Sequence, residues 1–267
     1  MLPNYLIIGT GRAATTWVHE CLSEHPNIFA AKDKEVNYFS KQYENGIDYY
    51  ESKFKEAEGG DYLAIGEASP SYLSNENCPL RIYETIPNAK LIVILRNPID
   101  RAYSQYLMFK EDHEDKTFEE AINNRPGLVT DGLYFKHIQH YMKYFDSEQI
   151  LVLFFEDIQK DPKAFIQKIY RFLGVDDDYV PSVLRSPINM SIGGGIGKIV
   201  DNFKLRMIVD LIKKTPLDSA IRKLLYTRKN KQKAVMNSVT REQLRKYYSE
   251  DTMKLSNLYE RNLSHWI

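Results

Sequence analysis

Tyr5-Leu6-Ile7-Ile8-Gly9-Thr10-Gly11-Arg12-Ala13-Ala14-Thr15-Thr16-Trp17 is the stretch on which the reading of this chain turns. A short apolar run ends in two glycines, a basic residue follows, and two threonines open a helical pattern continued by Val18, Cys21 and Leu22. That order predicts strand, tight loop, helix. A loop of this kind aims successive backbone N–H groups, and the positive end of the helix dipole, at one spot that suits a phosphate or sulfate. Arg12 and the hydroxyls of Thr15 and Thr16 add charge-assisted and neutral hydrogen bonds to the same anion.

Outward from this stretch the pattern repeats. Residues 29–31 form a short extended piece, and 63–65, 90–95 and 150–155 read as buried strands. Helical patterns cover 80–86, stopped by Pro87, then 99–110, 118–123, 135–145 and 163–173, the last ending at Gly174 in a C′ position. A final helix over 240–258 opens with Thr240-Arg241-Glu242-Gln243, which has the spacing of a capping box. Buried strands alternating with helices predict an α/β protein: a three-layer, P-loop-like fold whose central, mainly parallel sheet has about five strands, with ligands at their carboxyl ends.

A chain of 267 residues is long enough for a substantial core in a single domain, 1–267. Within it, residues 193–237 join a glycine-rich stretch to a basic amphipathic segment. That segment reads as a solvated helical face, or as a mobile lid drawing anionic acceptors or a membrane surface. The formal net charge is zero, so no global field favours nucleic acid. Two cysteines, Cys21 and Cys78, offer neither a disulfide framework nor metal-ligand spacing, and no metal is expected. No apolar run reaches the ~18 residues of a membrane span. The expectation is a cytoplasmic protein without a leader peptide, with peripheral membrane contact left open.

Against the nucleotide-triphosphate loop GxxxxGK[ST], Gly9 and Thr16 match, while Ala14 stands at the second glycine and Thr15 at the lysine. A second basic residue, Arg96, emerges from the apolar run at 90–95, with Ser104 eight positions on. By spacing alone Arg96 suits either an anion at the sheet edge or a partner such as Asp100.

Taken together, Arg12-Ala13-Ala14-Thr15-Thr16 and Arg96-Asn97-Pro98-Ile99-Asp100-Arg101-Ala102-Tyr103-Ser104-Gln105-Tyr106 resemble the two nucleotide motifs of sulfotransferases that use 3′-phosphoadenosine 5′-phosphosulfate (PAPS). The resemblance implies that Gly9, Gly11, Arg12, Ala13, Ala14, Thr15 and Thr16 hold the 5′-phosphosulfate. It likewise implies that Arg96 and Ser104 hold the 3′-phosphate, with adenosine 3′,5′-bisphosphate (PAP) as product. Ala14 departs from the family's glycine. Trp17 is either a core aromatic or, as in cytosolic members, a wall for the adenine. Asn189-Met190-Ser191 resembles the element preceding the family's closing loop, with Lys198 the nearest basic residue after it.

Lys34-Glu35-Val36-Asn37-Tyr38-Phe39 is similar to the segment carrying the catalytic glutamate of heparan-sulfate-type and related bacterial members. Glu35 is therefore the expected base and an acceptor contact, and Arg12 the expected electrostatic catalyst. His113 is the runner-up base. Ser69 and Tyr72, in Gly66-Glu67-Ala68-Ser69-Pro70-Ser71-Tyr72-Leu73, are expected on the acceptor side, although relatives carry a lysine where Ala68 stands. The implied acceptor is a hydroxyl of a carbohydrate, lipid or small-molecule alcohol; the sequence fixes neither it nor the oligomeric state. Two rival readings are a P-loop nucleotide kinase, with Glu156-Asp157 as a magnesium site, and a non-catalytic nucleotide- or anion-binding module.

Overall fold

A computed structural model describes residues 1–110, 115–185 and 236–267. Five strands form one fully parallel sheet: β1 (Tyr5–Gly9), β2 (Ile28–Ala30), β3 (Ala64–Ala68), β4 (Lys90–Leu95) and β5 (Ile150–Phe154), in the order β2-β3-β1-β4-β5. Parallel neighbours require crossovers, and the helices supplying them cover both faces of the sheet. That is why β1 and β4 read as continuous apolar runs rather than alternating ones.

Alternate residues of the same strand feed two cores. Tyr5, Ile7, Ile92 and Ile94 face α1 (Thr15–Ser23) and α9 (Pro162–Leu173), where Val18, Leu22, Phe165 and Ile169 are buried. Leu6, Ile8, Leu91 and Val93 face the opposite layer, which includes Tyr50 of α2 (Gly46–Ser52), Ile82 of α3 (Cys78–Thr85) and Ile138 of α7 (Tyr134–Tyr141). A third cluster joins α4 (Pro98–Phe109), α5 (Phe118–Asn124) and the short α6 (Gly127–Thr130) to the last described helix, α10 (Ser238–Leu258). Helix α8 (Phe155–Lys160) follows β5 without a loop. Cys21 and Cys78 are both free and buried.

Several boundaries differ from the sequence expectation. β3 continues past Ile65 through Gly66-Glu67-Ala68, because Gly66 lets Tyr5 pack against the strand: a Cβ there would lie 2.2 Å from the Tyr5 carbonyl oxygen. The acidic Glu67 hides the strand from a search for apolar runs. α10 starts before Thr240 and is capped by Asn237, whose side chain accepts from the Val239 amide at 2.9 Å, while the Thr240 hydroxyl donates to Glu119 at 2.7 Å. α7 ends at Tyr141 rather than at 145. Gly174 does close α9 in the left-handed conformation, φ 81°, with its amide bonded to Tyr170 and Arg171.

The sheet order places the site. β1 lies between β3 and β4, so chain connections leave it in opposite directions, and such a switch point opens a crevice at the carboxyl ends. The loops after β1 and β4 are neighbours there, although they are 84 residues apart in sequence at Arg12 and Arg96.

Candidate active site

The loop after β1 is built around close contacts and two left-handed residues. Gly9 lies against Leu73, and a Cβ on it would come within 2.6 Å of the Leu73 Cβ. Arg12 and Ala14 take φ values of 71° and 64°. A left-handed alanine is unfavourable by about 1 kcal/mol or more, which is the physical reason a glycine suits position 14. The loop nevertheless forms, pinned by the Thr10 amide donating to the Ile94 carbonyl at 2.9 Å and the Val18 amide to the Ala14 carbonyl at 3.1 Å. Thr15 is buried and Thr16 exposed at the start of α1. Ala13 is buried beneath the loop; Gly11 has open space around its Cα.

Arg96 follows β4 directly. Asn97 caps α4, its side-chain oxygen accepting from the Ile99 amide at 3.0 Å and the Asp100 amide at 3.4 Å. Pro98 in the first turn needs no donor. The cap sets the angle at which α4 leaves the sheet and hence where Ser104, two turns on, stands. Arg96 Nη1 donates to the Arg12 carbonyl at 2.9 Å, and Arg12 Nε donates to Ser104 Oγ at 3.0 Å. Arg96 also lies 4.9 Å over the Phe155 ring, and its own carbonyl accepts from the Tyr134 hydroxyl at 2.8 Å.

Arg12, Arg96 and Ser104 are thus one cluster, where the sequence suggested two separate pockets. Burial lowers the pKa of both arginines; the Arg96 charge adds to the effect on Arg12, whereas Asp100 opposes it at Arg96. Two partly desolvated guanidinium groups held this close favour an anion between them. Asp100 does not form the Arg96 pair that spacing allowed: its carboxylate accepts from Arg241 of α10 at 2.5 Å.

Glu35 is brought to the same edge. Its amide donates to the Ala68 carbonyl at 3.0 Å, at the end of the strand beside β1. Its side chain is about half exposed (52%) and pairs with Lys34 Nζ at 3.1 Å. Lys34 in turn lies near α1, since its charge contributes to lowering the His19 pKa, after burial.

Other expected site residues are placed differently. Tyr72 and Ser69 are fully buried, and both hydroxyls donate to Glu67, each at 2.6 Å. They brace the wall behind the loop and offer an acceptor no surface, because the buried carboxylate uses their donors. Trp17 packs in the core, 9% exposed, its ring centroid 6.2 Å from that of Phe165. His113, Asn189, Ser191, Lys198 and, apart from Met236 and Asn237, the 193–237 segment lie outside the described residues.

The acidic end of β5 that suggested a magnesium site is otherwise engaged. Glu156 accepts from the Trp266 indole at 3.0 Å, and Asp157 takes a two-pronged pair from Arg261 at 2.7 and 3.0 Å. Among the described residues no group of three or more His, Cys, Asp or Glu could hold a metal.

Three contributors escaped the sequence reading. Tyr134 and Asn97 hold Arg96 and its helix; Asn97 carried a signal, being an N-cap residue before Pro98. Glu67 carried one too, as a lone acid inside an otherwise apolar and glycine-rich strand.

A parallel α/β sheet that gathers two guanidinium groups and a hydroxyl at its switch point has the chemistry of an anion-binding edge. The sulfotransferase domain matches residues 2–190, and the chain belongs to that family. It is 31% identical over 182 residues to human heparan sulfate glucosamine 3-O-sulfotransferase 6, covering 65% of this chain and 52% of that protein. Over 106 residues it is 42% identical to the membrane-associated sulfotransferase kil1 of Dictyostelium discoideum, covering 39% and 22% of the two chains. A sulfotransferase from Alicyclobacillus acidocaldarius superposes with a TM-score of 0.74 at 25% identity, over 100% of this chain and 99% of that one. The chain spans 22% to 52% of the length of these curated relatives. No described helix is long and apolar enough to cross a membrane.

Proposed function

We propose that the chain transfers a sulfuryl group from PAPS to an acceptor hydroxyl. The observation that carries the reading is the cluster of Arg12, Arg96 and Ser104 at the adjoining ends of β1 and β4. A nucleotide carrying two anionic groups fits such a cluster, since an anion placed against each partly buried guanidinium offsets both its desolvation and the repulsion between the two. When bound, the donor supplies an electrophilic sulfur on a phosphate leaving group.

The chain's residues take the remaining roles. Arg96 and Ser104 bind the 3′-phosphate. Residues 9–16 bind the 5′ end, with loop amides and Arg12 directed at the oxygens that gain charge, an effect of about 3 kcal/mol for one preorganised donor. Glu35 accepts the proton of the acceptor hydroxyl as its oxygen forms a bond to sulfur and the sulfur–phosphate oxygen bond breaks. Its exposure leaves the carboxylate open to an incoming acceptor, with Lys34 Nζ 3.1 Å away. Trp17 supports the loop from the core.

Carbohydrates head the acceptor classes, because relatives are named for heparan sulfate and glucosamine. Peripheral membrane contact is a further possibility carried by the relative named as membrane-associated. The test is transfer of labelled sulfate from PAPS to sugar, alkyl and phenolic acceptors, run beside PAP calorimetry. Glu35→Gln is expected to abolish turnover and leave PAP affinity within about twofold, whereas Arg12→Ala lowers both. Binding of PAP with no transfer to any acceptor class, or full turnover by Glu35→Gln, refutes the scheme at donor use or at the base.

A further inference from the structure

One buried acid at the site's edge has no part in the chemistry just described. Glu67 is fully buried at the end of β3, and three hydroxyls converge on it: Ser69 and Tyr72 at 2.6 Å, and Tyr50 at 3.5 Å. The Ser69 oxygen has a second task. While its proton goes to Glu67, it accepts the backbone N–H of Asn37 at 2.9 Å. A serine hydroxyl has one proton and two lone pairs, so committing the proton to Glu67 turns the lone pairs toward Asn37.

Asn37 then reaches back to the expected base. Its side-chain amide donates to the Glu35 carbonyl at 2.8 Å, and its side-chain oxygen accepts from the Ser71 hydroxyl at 2.6 Å. Ser71 is 2.9 Å from the Ser40 hydroxyl. The Glu35 amide is tied to the Ala68 carbonyl at 3.0 Å, beside Glu67 in sequence. Both Glu35 and Asn37 have left-handed backbones, with φ of 64° and 53°. Residues other than glycine hold such conformations only where their surroundings enforce them. Here three of the bonds that hold the turn, from the Glu35 amide to Ala68, the Asn37 amide to Ser69 and the Ser71 hydroxyl to Asn37, lead to residues 68–71.

We propose that Glu67 and Ser69 are positioning residues for Glu35: the buried carboxylate orients the Ser69 hydroxyl, which anchors Asn37 and locks the 35–37 turn so that Glu35 is presented at the carboxyl edge. The inference rests on the reading of Glu35 as the base. A carboxylate merely satisfied within the core would give the same burial, but it would leave the turn's geometry indifferent to Ser69.

The test compares Ser69→Ala, Asn37→Gly and Glu35→Gln. Ser69→Ala removes one buried oxygen, and Asn37→Gly relieves the left-handed backbone while deleting the side-chain bonds, so at least the second folds without new strain. Three readouts are taken: hydrogen exchange over residues 35–40, PAP affinity by calorimetry, and transfer from PAPS to the best acceptor of the sugar, alkyl and phenol set. Both positioning variants are expected to raise exchange at the turn by ~10-fold or more and to lower kcat by ~10–100-fold, with the KM for PAPS and the Kd for PAP within about twofold. Unchanged exchange, or unchanged kcat beside an inactive Glu35→Gln, overturns the positioning role alone. An active Glu35→Gln removes the base, and with it this inference.

Discussion

Glu67 gives the sharpest thermodynamic prediction. Burial raises its carboxyl from the ordinary 4.5 to about 7, with the Ser69, Tyr72 and Tyr50 hydroxyls pulling in the opposite direction. Between those values the folded protein keeps the Glu67 proton and the unfolded chain releases it. The stability this group contributes is therefore fully present below about pH 4.5 and is lost as pH rises through about 7. At ~1.4 kcal/mol per pH unit the loss is about 3 kcal/mol, a large part of an ordinary domain's margin. Glu67→Gln cannot titrate, so its stability lacks this component, and any constant cost of the amide cancels in the comparison. The assay is urea unfolding of both proteins at intervals from about pH 4.5 to about pH 8, plotted as wild type minus variant. The difference should fall by about 3 kcal/mol over that range. Parallel curves would refute the reasoning, since the carboxylate would then be as well accommodated inside the protein as in water.

Further expectations follow from the site's supports. Arg96→Ala should weaken PAP binding ~50-fold by calorimetry, the loss of charge-assisted bonds of about 2–3 kcal/mol, with little change in thermal stability. Asn97→Ala deletes the α4 cap and should cost about 1 kcal/mol in urea unfolding, with a smaller loss of PAP affinity through Ser104. Ala14→Gly relieves the left-handed φ of 64° but loosens the unfolded chain, so a gain of about 0.5 kcal/mol is expected; a loss above about 1 kcal/mol would contradict the loop's description.

Much of the architecture was legible because burial on both faces leaves uninterrupted apolar runs, as in Leu91-Ile92-Val93-Ile94-Leu95. β3 was read short for the converse reason: its second half is Gly66-Glu67-Ala68, chosen for close packing against Tyr5 and for a buried hydroxyl cage. Neither property has a period. The arginines at 12 and 96 were legible as anion ligands, yet their union was not, because it comes from the pairing of β1 with β4. The Ser69–Asn37 link was invisible for a related reason, being a backbone-to-side-chain bond across 32 residues. Tyr72 misled because a tyrosine near a motif looks like a ligand contact until the partner of its hydroxyl is known.

The pairing of Glu156 with Trp266 and of Asp157 with Arg261 ties the acids after β5 to residues 110 and 104 positions later in the chain. Glu156 lies close enough to act on Arg96, so acid charge beside β5 bears on the guanidinium proposed to hold the 3′-phosphate. In a chain whose formal charges sum to zero, attraction for a polyanion is a local matter. Loss of the Arg261 charge, which pairs with Asp157, would therefore blunt nucleotide capture at low ionic strength, whereas removing residues 261–267 outright would also strip the buried Leu263 and Trp266 from the core.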